Sequence, residues 1–98
     1  MAYKFLPLST VKRWEPIAAQ FGVSVVARSD RGFLAAYKRA KGKAARLSDD
    51  WYFRREDFIK RHMAQVKKRE ESLWNGGVPT RRHLALIMWA YSPHRSML

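Results

Sequence analysis

Ninety-eight residues, 47% of them apolar and including four Trp, four Tyr and five Phe, exclude general disorder and limit the chain to one domain with a modest core. The lack of cysteine excludes disulfides and thiolate metal sites. Twenty Lys and Arg against eight Asp and Glu give a formal charge of +12 and a pI near 10.8, which points to an acidic partner, most commonly nucleic acid.

Residues 1–8 read as an extended lead-in whose Phe5 and Leu6 pack onto the body. They hold no continuous apolar run, so no signal peptide is expected, and a cytoplasmic protein, nucleoid- or virion-associated, is the expectation. Ser9 is an N-cap candidate for a first helix over 9–21, in which Trp14, Ile17, Ala18 and Phe21 fall on one face. Pro16 either kinks that helix or starts a second short one, and Gly22 is the stop. Ile17 to Ser24, IAAQFGVS, has the outline of the front half of a helix-turn-helix. Its back half departs from the pattern, with Arg28 and Arg31 at apolar positions and Gly32 inside the recognition helix.

A second helix is expected over 30–41, opened by Ser29 or Asp30, with Phe33, Leu34 and Tyr37 on one side. From Arg28 to Arg46 the chain carries seven basic residues (Arg28, Arg31, Lys38, Arg39, Lys41, Lys43 and Arg46) against one acid. Gly42 turns the later part into a basic loop that suits phosphate contacts, and small residues between the cations let a backbone approach. Ser48-Asp49-Asp50 is a strong start for a long third helix over 48–69. Its buried face carries Trp51, Phe58, Ile59, His62, Met63 and Val66. Glu56–Lys60 and Asp57–Arg61 are spaced as ion pairs, and Lys67, Lys68 and Arg69 close its end. Arg55 intrudes on the apolar face; packing its stem there needs water or a carboxylate at its head, with Asp30, Glu70 and Glu71 as candidates. Tyr52 and Phe53 lie off that face, as stacking platforms or as a second buried side.

Asn75-Gly76-Gly77 reads as a turn, with Leu73 and Trp74 folding back as anchors. The fourth helix, over 80–91, is apolar all round and is expected at the centre of the domain, capped by Thr80 and stopped by Ser92-Pro93. Its first turn is in conflict with its dipole. Arg81, Arg82 and His83 stand at the positive end, at a cost of a few tenths to about 1 kcal/mol each, which a docked anion would reverse. Glu70, Glu71, Asp49 or Asp50 are the alternative partners. Residues 94–98 read as a frayed tail.

The stretches RGFLAAYKRA (31–40), FIKRHMAQVKK (58–68), Leu73-Trp74 and PTRRHLALIMWAYSP (79–93) resemble a family of small uncharacterised proteins associated with phages and other viruses. The likeness covers 28–93. It implies a compact domain in a viral setting and no catalytic residues.

No HExxH, Walker A or GxSxG motif is present, and no His–carboxylate spacing suggests a metal site. The sequence therefore predicts an all-α, four-helix domain that is not an enzyme and has no cofactor, metal, small-molecule substrate or membrane association. It binds nucleic acid through the Arg28–Arg46 cations, through Lys60, Arg61, Lys67 and Lys68, and through Arg81, Arg82 and His83. An effector that binds a host or viral protein by the same basic face is the first alternative, and a degenerate helix-turn-helix regulator the second.

Overall fold

The computed structural model describes residues 3–98. Its four α-helices are α1 (Leu8–Gln20), α2 (Phe33–Arg39), α3 (Asp49–Arg69) and α4 (Arg81–Ile87). Single 3₁₀ turns occur at Ala44–Arg46 and Arg95–Met97. The fold is mostly helical rather than wholly so. A small antiparallel ladder, β1 (Trp74–Asn75) on β2 (Val78–Pro79), pairs Trp74 with Pro79 and Asn75 with Val78. Its turn is the anticipated Gly76-Gly77, with Gly76 at φ 65°.

Two helix ends follow the sequence closely. At the end of α1, Gly22 stands at φ 65° while its N–H and that of Val23 bond back to Ala19 and Ala18, a Schellman stop. At the start of α4, the Thr80 hydroxyl accepts from the His83 N–H at 3.3 Å.

Other expectations are corrected. Helix α1 starts after Pro7, not Ser9, and continues through Pro16 as one helix. Proline leaves the Lys12 carbonyl without its helical donor, but both residues are exposed, so solvent can satisfy it. The stretch 23–32, where a recognition helix would lie, is a series of turns. Helix α2 opens three residues late, at Phe33, behind an N-cap Gly32 where a Cβ would meet the Val26 carbonyl oxygen at 2.1 Å. The tail is not frayed throughout: Leu98 packs against the core. Of the lead-in, Met1 and Ala2 lie outside the described residues. From Tyr3 onward it does pack inward, with Leu6 1% exposed.

Helix α4 packs against α1 and α3 and serves two cores. Leu84, Ile87 and Met88 join Leu6, Val11, Ala18, Phe33 and Tyr37, while Leu86 joins Ile59 and Leu73. A column of stacked rings runs beside it, Tyr37 on Phe33 (5.6 Å), Phe33 on Trp89 (5.0 Å), Trp89 on Phe58 (4.7 Å) and Phe58 on His62 (4.0 Å). The helix is less isolated from solvent than its sequence predicts, since Arg81 is exposed and Arg82 and Ala85 are half-buried. It also ends four residues early, because Ala90 turns left-handed at φ 57°.

The backbone just past that stop is held by Arg55, 1% exposed on α3. Its Nε donates to Trp89 O (2.7 Å), its Nη1 to Tyr3 O (2.9 Å), and its Nη2 to Ala90 O (2.9 Å) and Lys4 O (3.0 Å). The guanidinium lies 3.7 Å from the Phe5 ring centroid. No carboxylate is involved, so the expected Asp30, Glu70 or Glu71 partner is replaced by four carbonyl dipoles. Burial lowers the Arg55 pKa to about 10, which leaves it charged at neutral pH.

Candidate nucleic-acid interface

Among the described residues only two ion pairs form, Lys38–Glu15 at 2.9 Å and Arg82–Glu71 at 3.0 Å. The sequence's i, i+4 pairs, Glu56–Lys60 and Asp57–Arg61, do not close to 4.0 Å. Arg61 instead points its Nε at the Asp57 carbonyl, 3.4 Å away. Most cations of this chain thus remain available, and their positions on the fold sort them.

One group lies at the start of α3. Arg39 and Arg46 line a hollow of about 290 Å³ together with Ser48 and Trp51. Arg54 lies over the Trp51 ring at 4.5 Å, so the indole meets one more cation. Lys41 and Lys43 are exposed on the loop that leads here. Gly42, at φ 72°, turns that loop closely over Leu8. A second group lies at the far end of α3, where Lys60, Arg61, Lys67, Lys68 and Arg69 are all exposed. At 100° per residue, the first four fall within an arc of about 120°. From Trp51 to Lys67 is about 24 Å along the helix, against a longest molecular extent of 34 Å. The two groups therefore stand apart at opposite ends of α3 rather than forming one patch, with the exposed Asp57 between them along the helix.

The α4 start is corrected. His83 is 0% exposed, with its Nδ1 2.9 Å from the Leu73 carbonyl and its Nε2 2.7 Å from the Ser92 hydroxyl. A carbonyl only accepts, so Nδ1 carries the proton and Ser92 donates to Nε2. The pair has the form of a nucleophile and its base, but Ser92 is 1% exposed and no substrate can reach it. Burial lowers the His83 pKa. Arg82 is also withdrawn. Its Nε and Nη2 grip both oxygens of Glu71 (3.2 and 3.0 Å), Nη2 also meets Gln65 (2.9 Å), and Nη1 meets His62 Nδ1 (2.7 Å). At Arg82 the dipole conflict is thus relieved by Glu71, which lies just past the end of α3. His62 is held neutral, its pKa lowered by burial and by Arg82 and Arg61.

Arg81 alone of the three stays exposed, with Nη1 2.5 Å from the Phe21 carbonyl. It borders a cleft of about 520 Å³ with Phe21, Val78, Pro79 and Leu84 as apolar walls. No sequence signal marked that cleft, because it is closed by α1, the hairpin and α4 together. Of the remaining candidates, Arg31 is exposed, Arg28 is half-buried with its Nε on Val23 O (2.8 Å), and Lys38 is occupied by Glu15. Arg54 was missed; it sits on the solvent side of a helix whose period was read for its buried side.

The described residues contain no cluster of three or more His, Asp or Glu able to hold a metal. No helix among them is long and apolar enough to cross a membrane. Comparison with family models, with curated proteins and with solved structures found no match.

Proposed function

We propose that this protein binds nucleic acid through the phosphate backbone and largely without sequence specificity, acting as a binding module and not as an enzyme. The observation that carries the reading is the state of the cations at the two ends of α3. Arg39, Lys43 and Arg46 at one end, and Lys60, Arg61, Lys67 and Lys68 at the other, are exposed, and none forms an ion pair among the described residues. Exposed cations without counter-charges gain most by releasing the counterions of a polyanion. The two groups stand about 24 Å apart along α3, a span over which a duplex presents one charge per roughly 1.7 Å of axis. The viral setting, and with it an intracellular or virion location, is proposed from the sequence resemblance alone.

Fluorescence anisotropy with a labelled duplex and a single strand tests this. Binding at about 50 mM salt should weaken linearly in log–log form, with a slope near −5 if about six phosphates are contacted. Replacing Lys67 and Lys68 by Gln should reduce the slope by about 2 and leave the melting temperature unchanged. No binding by micromolar protein at about 50 mM salt would overturn the reading.

The second reading, an effector that engages a protein, is favoured by Val25 and Val26, 64% and 78% exposed on the turns beside Arg28 and Arg31. Stoichiometric capture of one protein, insensitive to nuclease, would favour it over the first.

A further inference from the structure

Exposed apolar surface lies near both ends of α3. At the far end is the cleft, where Phe21 and Val78, each 47% exposed, stand beside the buried Leu84 and Pro79. Near the start of α3 is Phe53, 72% exposed. Its neighbours one turn away on the helix surface are Asp49, Asp50 and Asp57. All three are exposed, and none is ion-paired among the described residues. On a chain of formal charge +12, this is an apolar knob set in an acidic patch. The cleft has the opposite rim. Glu71 there is neutralised by Arg82, while Arg81 has committed one Nη1 proton to Phe21 O and holds its other donors free.

We propose that the knob and the cleft are the two halves of one contact between copies of this chain: Phe53 of one molecule enters the Phe21–Val78–Leu84 cleft of the next, and the aspartates meet Arg81. A cleft of about 520 Å³ is within the range that holds small ligands and accepts a benzyl side chain. Phe53 and the end of α3 are separated by about 24 Å, so a chain does not fill its own cleft. The contact joins unlike surfaces: it closes as a two-fold dimer where both knobs enter at once and propagates head to tail where only one does. It is a single knob, smaller than the roughly 1,200 Å² of a stable interface, so the association is weak. The net positive charge opposes it further, and a bound polyanion relieves that repulsion. The contact itself is independent of the nucleic-acid reading.

Sedimentation velocity on nuclease-treated protein, from about 10 μM to 1 mM at about 0.15 M salt, tests it. The weight-average mass should rise with concentration. Phe53→Ser and Val78→Asp, each at an exposed site, should stay monomeric with unchanged circular dichroism. An equimolar mixture of the two should form a closed heterodimer and nothing larger, since it contains one intact knob and one intact cleft. Arg81→Gln should weaken association roughly two- to fivefold. A wild-type monomer at every concentration overturns the proposal, as does self-association of Phe53→Ser at wild-type strength, or a mixture that fails to pair. A monomeric protein whose cleft resonances shift with an acidic peptide of another protein assigns the cleft to that partner, and also overturns it.

Discussion

Arg55 and Arg82 are both drawn away from solvent by hydrogen bonds to all three guanidinium nitrogens, yet their surroundings differ in kind. Around Arg55 there are only dipoles, the carbonyls of Tyr3, Lys4, Trp89 and Ala90. Around Arg82 there are titratable groups, Glu71 and His62, with Gln65 between them. The first arrangement joins the lead-in, α3 and the end of α4, residues 34 to 52 positions apart in sequence. The second joins α3 to the start of α4 across 11 to 20 positions and remains half-exposed. A cation facing carbonyls fixes backbone and is indifferent to pH near neutrality. A cation facing a carboxylate and an imidazole fixes side chains and responds to acid.

The largest expected effect comes from removing the first. Arg55→Met keeps the stem's volume but takes the side-chain donor from the Tyr3, Lys4 and Trp89 carbonyls and leaves Ala90 O with the Leu6 N–H alone. A stability loss of about 3–5 kcal/mol is expected from urea unfolding, a large share of what a domain this size has. Arg55→Lys should recover only part of it, because an ammonium cannot spread its donors over four acceptors in the plane of a fork. Full recovery with lysine would mean that the charge, rather than the fork, is what matters there.

Neither arginine's role was legible in full from the sequence, and the reason is range. Signals that act within one or two turns were readable: the Gly22 stop, the Thr80 cap, the Ser48-Asp49-Asp50 start and the Gly76-Gly77 turn. The end of α4 was misjudged because the Ser92-Pro93 signal is local, whereas the helix already ends at Ile87 and the left-handed Ala90 beyond it is bonded to Arg55, 35 positions away. Arg55 itself was visible as an anomaly on an apolar face, but a carboxylate was sought because charge suggests charge. At the other site the sequence did offer Glu71 as an alternative partner for the arginines. What it could not show is that His83 turns inward, since a basic residue in a first turn looks the same whether it faces an anion or a core. The exposed cations of α3 were half legible. Lys60, Arg61, Lys67 and Lys68 were read correctly as the solvent side, while the cleft, formed by three separate elements, left no pattern in the chain.

The next effect separates the two sites by pH. His62 and His83 both have folded-state pKa values below the ordinary 6.5, mainly through burial. The unfolded chain therefore binds their protons first as pH falls. Their contribution to stability is complete above about 6.5 and is lost progressively below it. Glu71, held low by the Arg82 hydrogen bond, contributes above its ordinary 4.5 and is lost as pH falls through its depressed value. Melting temperature should consequently decline from pH 7 to pH 5, and further below 4.5. Replacing His62 by Gln should flatten part of the first decline. The same slope in wild type and His62→Gln would place the whole early sensitivity on His83, which Arg82 does not touch.

The smallest effect is the one that most directly tests how the basic residues are divided between structure and binding. Arg82→Gln removes the grip on Glu71 and the contact to His62, so it should lower the melting temperature, by clearly less than Arg55→Met. Both partners are partly exposed, and water can replace much of what is lost. At the same time it should leave the salt dependence of nucleic-acid binding almost unchanged, because this guanidinium is already occupied. Lys67→Gln with Lys68→Gln should give the reverse pattern, with unchanged stability and a shallower slope. If Arg82→Gln instead weakened binding as much as the lysine pair did, the Glu71 contact would have to open on the polyanion. The start of α4 would then rejoin the binding surface from which its hydrogen bonds now separate it.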